Sequence, residues 1–173
     1  KKILDLIRSL EKEAPAAGGM VHFLIGNHEE MNILELSFRY GYVTQKQFQS
    51  FLPAGYVAAQ EARFKEKPEN GGDLTKLWED LLTDPDAQRL YTRTFNKNYG
   101  TWIAQHNAVI KINDTLFCHG GLSAKYAEKT LGEINAAVRR DIDKGDTDGV
   151  AMDDDGPLWN RRLAFGGPTA VAD

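Results

Sequence analysis

The sequence predicts a mixed α/β fold, and three observations carry that prediction. A short apolar run, MVHFLI (20–25), stops abruptly at a glycine, which is typical of a buried strand. Two further strand-like runs, centred on 109–112 and covering 115–119, are separated by Asn113-Asp114 and so predict a β-hairpin. Between these strands, residues 44–107 show helical periodicity. Such an alternation is compatible with an α/β or an α+β arrangement.

The helices are predicted from apolar spacing and from capping residues. KKILDLIRSLEKEA predicts an amphipathic helix at the start of the chain, and EEMNILELSFRYGY predicts another after the first strand. Asp73 and the pair Asp84-Pro85 are expected to begin helices, because aspartate accepts hydrogen bonds from free N–H groups and proline fits the first turn. Residues 66–72 predict a loop, 123–144 a helix and 145–156 an acidic loop.

The composition is that of a globular protein and excludes several other classes. The chain has 173 residues, 42% of them hydrophobic, and a formal net charge of −4. These values exclude a disordered chain, and no run of about 18 apolar residues predicts a membrane-spanning helix. No basic stripe or polybasic helix is present, so neither a nucleic acid nor a membrane is expected as a partner. Cys118 is the single cysteine and cannot form an internal disulfide.

Two polar clusters each follow a predicted strand. GNHE (26–29) comes directly after the first strand, and CHGG (118–121) closes the hairpin. Because ligand crevices in open α/β sheets lie at the carboxyl ends of the strands, we expect both clusters at one edge of one sheet. Imidazole and amide ligands suit Mn, Fe or Zn better than Ca or Mg, and a histidine can also act as a general acid. A structural interpretation stays open, with hydrogen-bonded framework histidines and an Asx-turn at Asn27-His28.

These runs resemble the third and fourth motifs of the calcineurin-like metallophosphoesterases. GNHEEMN after VHFLI, and LFCHGGLS after VIKIND, are most similar to the phosphoprotein phosphatase branch and, within it, to the bacterial-type, Shewanella-like phosphatases. DGPLWNRR (155–162) is similar to a DGPLWYRG-like stretch of that branch. The resemblance covers essentially the whole chain, with 44–107 as a helical insertion longer than is usual in eukaryotic serine/threonine phosphatases. It implies an α/β fold, part of a β-sandwich flanked by helices.

The resemblance also implies roles for single residues. Asn27 and His119 would ligate one of two metal ions (Mn, Fe or Zn), and Asn27 would also lie near the substrate phosphate. His28 would donate a proton to the leaving alkoxide, with Glu29 as a supporting residue. Arg161 would clamp the phosphate, since a planar guanidinium can donate two hydrogen bonds to phosphate oxygens.

Two departures from the motif leave the clamp open between two arginines. Asn160 stands where the branch has tyrosine, and Arg162 stands where it has glycine. The phosphate clamp is therefore Arg161 or Arg162. The alternative interpretation is that both are exposed arginines without a role in the site.

The implied function is metal-dependent hydrolysis of phosphate monoesters, with a serine/threonine-type phosphoprotein or a small phosphoester as substrate. The alternatives are a symmetrical dinucleoside-polyphosphate hydrolase of the same superfamily and a non-catalytic pseudophosphatase that only binds. The D-x-H, G-D-x-x-D-R-G and G-H-T-like motifs of the family do not occur in the sequence, which begins at Lys1 without methionine or signal peptide. We therefore expect one incomplete phosphatase domain over 1–173, inactive by itself, with a cytoplasmic location as the default.

The remaining candidates have structural interpretations. The acidic run between 141 and 155 fails the EF-hand pattern and is expected to be a solvated loop. Cys118 is expected to be an inert buried thiol, and His22 and His106 are expected to be structural. Five aromatic residues recur at helical spacing and predict core packing more than a substrate surface: Trp78, Tyr91, Phe95, Tyr99 and Trp102.

Overall fold

The structure, a computed structural model, is mainly helical and describes residues 1–67 and 73–165. A 3₁₀ turn occupies 14–17, a second one occupies 150–152, and a π-helical turn occupies 96–100. No helix in the described ranges is long and apolar enough to cross a membrane. The helices and strands are α1 (Lys2–Glu13), α2 (Asn27–Ile33), α3 (Gln45–Phe51), α4 (Ala54–Lys65), α5 (Thr75–Thr83), α6 (Pro85–Phe95), α7 (Thr101–Ala104), β1 (Val109–Ile112), β2 (Thr115–Cys118), α8 (Ala124–Ala127), α9 (Leu131–Lys144) and α10 (Arg162–Phe165).

The β-hairpin is confirmed, whereas the strand predicted over 20–25 is reduced to a single bridge. β1 and β2 pair antiparallel, with Val109 opposite Cys118. Leu24 forms an isolated parallel bridge with Asn107, and the next amide donates to the Asn107 carbonyl at 3.0 Å. The predicted strand is wrong in its extent, because its bridge partner, Asn107, lies before the start of β1 at Val109 and outside any strand. A two-stranded sheet is therefore present, and the described residues do not form the expected β-sandwich.

Several predicted helices have different bounds. The helix predicted through EEMNILELSFRYGY ends at Ile33, and shortly afterwards Glu35 adopts a φ of 63°, which is incompatible with a continuing helix. The helix predicted over 123–144 is divided into α8 and α9, because Thr130 and Glu133 form a capping box that begins α9. Of the loop predicted over 66–72, residues 68–72 lie outside the described ranges.

Both predicted capping residues act at helix starts. Asp84 Oδ1 accepts hydrogen bonds from the backbone N–H groups of Asp86 and Ala87, each at 2.8 Å, with Pro85 in the first turn of α6. Asp73 accepts a hydrogen bond from the backbone N–H just inside α5 at 2.9 Å. These contacts satisfy N–H groups that have no partner within the helix.

Aromatic rings from α3, α6 and the π-helical turn build the core, as the helical spacing predicts. Phe48 and Tyr91 are fully buried, with ring centroids 5.8 Å apart. The Tyr91 hydroxyl donates to Asn32 Oδ1 at 2.6 Å, which ties these rings to α2. Trp78 is also buried, whereas Trp102 is half-buried. We call the following rings the core cluster: Phe48, Phe51, Tyr91, Phe95 and Tyr99.

The acidic run is not a uniformly solvated loop, so that expectation is wrong for two of its members. Asp141, in α9, is 2% exposed, and its Oδ2 accepts a hydrogen bond from Ala151 N at 3.3 Å. Asp153 accepts a hydrogen bond from the Tyr126 hydroxyl at 2.6 Å and pairs with Lys125. The two carboxylates fasten the loop after α9 against α8 and α9.

His106 has a structural position between α1 and α7. Its Nε2 lies 2.8 Å from Glu11 Oε1, and its Nδ1 lies 2.7 Å from the Trp102 carbonyl oxygen. The Trp102 indole also donates to Glu11 Oε2 at 3.0 Å. These contacts hold α1 against the helical part of the fold.

Candidate active site

The two polar clusters meet at one end of the hairpin. Because β2 runs antiparallel to β1, β2 ends beside the start of β1. The bridge between Leu24 and Asn107 brings the end of the segment 20–25 to that same place. The GNHE and CHGG segments therefore begin side by side. This agrees with the expectation of a shared edge, although the segment 20–25 reaches it without forming a regular strand.

Gly26 allows the closest approach of the two clusters. A Cβ atom there would lie 3.1 Å from His119 Nδ1 and 2.7 Å from Glu29 Oε2. The Glu29 carboxylate accepts a hydrogen bond from Gly26 N at 3.2 Å and so begins α2. Glu29 therefore fixes the turn that presents Asn27 and His28, and its supporting role in the chemistry stays a prediction.

Asn27 and His28 open α2, but they are exposed to different degrees. Asn27 is 6% exposed, whereas the His28 side chain is exposed. The His28 ring lies against the Tyr42 ring, with centroids 4.5 Å apart, and its nitrogens have no hydrogen-bond partner among residues 1–67 and 73–165. Asn32 Nδ2 donates to the His28 carbonyl at 2.7 Å. The backbone of His28 is therefore fixed from within the protein, while its imidazole is accessible.

The structure distinguishes the two arginines. Arg161 Nη2 donates to His119 Nε2 at 3.2 Å, and its Nη1 donates to the Leu158 carbonyl at 2.9 Å. Arg162 instead pairs with Asp155 at 3.0 Å. Arg161 therefore faces the CHGG cluster and Arg162 faces the acidic loop.

Gly120 lets the loop with Arg161 pass close to the hairpin. Its N–H donates to the Pro157 carbonyl at 2.7 Å. A Cβ atom on Gly120 would lie 2.8 Å from Arg161 Nη1 and 2.9 Å from the carbonyl oxygens of Pro157 and Asn160. A larger residue would push this loop away. The close approach of this loop thus explains, on steric grounds, why the first glycine of CHGG, Gly120, is needed.

The electrostatic environment favours a neutral His119. Burial and the neighbouring Arg161 guanidinium lower the pKa of His119 below its usual value, against a smaller opposing effect of Glu29. Because a guanidinium only donates, the contact at Nε2 requires that nitrogen to accept. Burial also raises the pKa of the Cys118 thiol, in line with an unreactive cysteine.

The described residues do not fit a metal ion by themselves. Asn27 and His119 are the ligands implied by the resemblance, and neither carries a negative charge. Among the described residues, no group of three or more His, Cys, Asp or Glu side chains could hold a metal ion. A catalytic zinc-type site uses about three protein ligands, and a two-metal site uses more. In addition, His119 Nε2 already contacts Arg161.

A contact between Glu30 and Trp159 was not foreseen from the sequence. Glu30 is fully buried, and its Oε2 accepts a hydrogen bond from Trp159 Nε1 at 3.0 Å. Its Oε1 has no partner among the described residues, and burial raises the pKa of Glu30 to about 8. The contact ties α2 to the loop that carries Arg161. A charged residue inside GNHEEMN and a tryptophan inside DGPLWNRR were the available signals.

Exposed aromatic rings beside His28 were also missed. The rings of Tyr42 and Tyr40 lie 6.4 Å apart, and those of Tyr40 and Trp159 lie 5.9 Å apart. Tyr40 is 44% exposed and Tyr42 is 45% exposed. We call Tyr40, Tyr42 and Trp159 the rim. On another side of His28, a cavity of about 570 Å³ opens between α1 and α3.

Comparisons with known proteins agree with the motif resemblance. No family model matches the chain. It is 30% identical over 149 residues to Shewanella-like protein phosphatase 2 of Arabidopsis thaliana, covering 80% of this chain and 37% of that protein. It is also similar to a structure of a cold-active protein tyrosine phosphatase, with 27% identity, a TM-score of 0.60, and coverage of 96% of this chain and 42% of the other.

A further structure is that of the cold-active protein-tyrosine phosphatase of a psychrophilic Shewanella species. The identity is 27% and the TM-score is 0.55, covering 99% of this chain and 44% of the other. The chain thus spans less than half the length of each of these relatives. Together with the GNHE and CHGG clusters that meet beside Arg161, these matches support the assignment of the chain to the Shewanella-like protein phosphatases.

Proposed function

We propose that this chain contributes the phosphate-binding and proton-donating side of a phosphoprotein phosphatase active site. The observation that carries the proposal is the arrangement around His119. Arg161 contacts one ring nitrogen, and the other lies against Gly26 at the start of the GNHE turn. Three segments that are distant in sequence thus bring a guanidinium, an imidazole and the start of the turn that carries Asn27 and His28 to one place. Such a group of donors suits a phosphate monoester.

Each side chain has a chemical task in this proposal. The Arg161 guanidinium neutralises the non-bridging phosphate oxygens, whose charge grows as the ester bond breaks. His28 donates a proton to the leaving oxygen, because its imidazole is exposed and has no hydrogen-bond partner in the described part of the chain. Asn27 donates its amide N–H to the phosphate. His119 would hold a metal ion, and the Arg161 donor that contacts its Nε2 would then be free to turn to the phosphate.

Metal dependence belongs to the proposal as well. Asn27 and His119 would be the ligands that this chain contributes to the two metal ions. Because these two residues do not complete a site, the further ligands must come from other residues.

The substrate class is proposed at two levels. A phosphoprotein agrees with the names of the three relatives to which the chain is similar. Within that class, the resemblance to the phosphoprotein phosphatase branch implies serine/threonine-type substrates. Phosphotyrosine is the second candidate, because the solved relatives are named protein tyrosine phosphatases and exposed rings lie beside His28.

The test compares three histidine variants in the intact protein. We expect His28→Ala to lower kcat by roughly 10²- to 10⁴-fold with bound metal unchanged, as befits a general acid. His119→Ala should lose metal, and His22→Ala, at an exposed histidine outside the site, should change neither quantity. Turnover and metal content are measured on the same preparations.

The outcomes also separate the alternative functions. Equal metal loss in His28→Ala and His119→Ala would contradict the division of roles. A preference for diadenosine tetraphosphate over phosphopeptides would indicate the dinucleoside-polyphosphate hydrolase. Metal-loaded intact protein that binds phosphopeptides without turnover would indicate a binding module.

A further inference from the structure

We infer that Glu30 is a positioning residue for the phosphate clamp, and that it acts on Arg161 through its hydrogen bond with the Trp159 indole. The inference rests on the proposed function and assigns to the site a residue that does not itself touch the substrate. It is carried by the burial of Glu30, by the way the DGPLWNRR loop is held, and by the place of Arg161 in that loop.

Glu30 is a carboxylic acid where packing alone would favour an apolar side chain. It is fully buried in α2, and its Oε2 accepts a hydrogen bond from Trp159 Nε1 at 3.0 Å. Its Oε1 has no partner among the described residues. A buried carboxyl group with an unsatisfied oxygen costs free energy that an apolar residue of similar size would not cost. Such exceptions are expected at functional sites, so the contact with Trp159 indicates a role other than packing.

The DGPLWNRR loop is held against both polar clusters. On the CHGG side, Gly120 N donates to the Pro157 carbonyl at 2.7 Å. On the GNHE side, the hydrogen bond between Trp159 and Glu30 joins the loop to α2. Trp159 N also donates to the Gly156 carbonyl at 3.2 Å, so the segment between the two attachments is a compact turn. Without the contact to Glu30, these hydrogen bonds would hold the loop from the CHGG side alone.

Arg161 depends on this loop for its direction. It follows Trp159 by two residues, and its Nη1 donates to the Leu158 carbonyl at 2.9 Å. Its Nη2 contacts His119 Nε2, and in the proposed function this donor turns to the phosphate. The guanidinium is then directed by its own backbone and by its contact within the loop. The hydrogen bond between Glu30 and Trp159 therefore sets the position of the clamp relative to the GNHE residues, where small displacements weaken binding.

The test measures the dissociation constant of inorganic phosphate by calorimetry on the metal-loaded intact protein. Trp159→Phe keeps a ring and removes the donor, and Glu30→Met keeps an unbranched side chain and removes the acceptor. We expect each variant to weaken phosphate binding about 2- to 12-fold, the equivalent of one hydrogen bond. Glu30→Gln, whose amide oxygen still accepts, should bind phosphate as the parent protein does. Trp102→Phe removes an indole that donates to Glu11 at 3.0 Å, and this matched control should change nothing.

A double-mutant cycle distinguishes positioning of Arg161 from a general loosening of the fold. If Glu30 acts through the clamp, Trp159→Phe has no further effect once Arg161→Ala has removed the guanidinium. Equal losses with and without Arg161 would overturn the inference. So would an unchanged dissociation constant in Trp159→Phe, a loss in Trp102→Phe as large as that in Trp159→Phe, or a loss in Glu30→Gln as large as that in Glu30→Met.

The same measurements keep this inference separate from the proposed function. Trp159→Phe and Glu30→Gln carry the test if Glu30→Met does not fold. Each of the contrary outcomes above leaves the phosphate clamp intact, because the clamp requires Arg161 and not the way in which its loop is held. Unchanged phosphate binding in Arg161→Ala alone would instead contradict the clamp, and with it both the proposed role of Arg161 and this inference.

Discussion

The core cluster and the rim use the same kinds of side chain in opposite ways. In the core cluster, the rings lie on α3, α6 and the π-helical turn and are at most 3% exposed. In the rim, Tyr40 and Tyr42 lie on a turn after α2, and nearly half of each side chain is exposed. Aromatic rings at helical spacing therefore pack in the core, whereas the rings on the hydrogen-bonded turn lie beside the candidate active site.

Both sets nevertheless hold α2, the helix that begins with Asn27 and His28. The core cluster does so through the Tyr91 hydroxyl, which donates to the Asn32 amide oxygen. The rim does so through the Trp159 indole, which donates to the Glu30 carboxyl group. The first attachment is neutral at ordinary pH, and the second contains a group that titrates. The two sets should consequently respond differently to truncation and to pH.

The largest expected effect is the loss of a core ring. Phe48→Ala should lower the free energy of unfolding by about 3–5 kcal/mol, because a fully buried ring leaves a cavity. Tyr40→Ala should change it by less than about 1 kcal/mol, since the side chain is already partly in solvent. Denaturant unfolding of the 173-residue chain measures both values. Similar losses in the two variants would show that the rim is part of the core.

A smaller effect is expected from the titration of Glu30. Because burial raises its pKa from 4.5 to about 8, the folded state retains a proton that the unfolded state has lost between these values. The contribution of Glu30 to the free energy of unfolding should therefore be greatest below pH 4.5. It should fall as the pH rises to 8, by about 1.4 kcal/mol per pH unit at most.

Glu30→Gln isolates this contribution, since the amide oxygen still accepts from Trp159 and carries no charge. The free energy of unfolding of the variant should not show this fall with pH, so the variant should be more stable than the parent chain near pH 8. Glu79→Gln, at an exposed position on α5, serves as the control. Unfolding curves at pH 5 and pH 8 that shift equally in parent and variant would contradict the assignment.

The smallest effect concerns the two arginines that follow Trp159. Arg161→Ala should weaken inhibition of the intact protein by inorganic phosphate about 10- to 100-fold, the range for a hydrogen bond to a charged group. Arg162→Ala should change it less than about threefold, because that side chain pairs with Asp155. The reverse order of the two effects would identify Arg162 as the phosphate clamp.

The sequence predicted the elements whose signals are local. The hairpin followed from two apolar runs around Asn113-Asp114, and the start of α6 followed from Asp84-Pro85. The segment 20–25 has the composition of a strand, but a strand also needs a neighbour along its length, and composition does not supply one. The end of α2 was missed because the positive φ of Glu35 has no glycine to announce it.

The same limit applies to the candidate site. The motifs indicated Asn27, His28, His119 and Arg161. The structure brings together the three segments that carry these residues. The distinction between Arg161 and Arg162 depends on the partner of each guanidinium, and His119, the partner of Arg161, lies far away in sequence, whereas Asp155, the partner of Arg162, is nearby. The contact of Glu30 with Trp159 and the whole rim depend on tertiary packing between α2, its following turn and the DGPLWNRR loop.

The hydrogen bonds that hold the His28 carbonyl form a chain in which every donor points in the same direction. Gln47 Nε2 donates to the Tyr91 hydroxyl at 2.6 Å, that hydroxyl donates to Asn32 Oδ1, and Asn32 Nδ2 donates to the His28 carbonyl. Donors aligned in this way polarise one another, and reversing any one would break its neighbours. The first turn of a helix ordinarily frays. Here the His28 carbonyl cannot leave the helix without interrupting a chain of hydrogen bonds that extends to α3, so fraying of this turn should be suppressed.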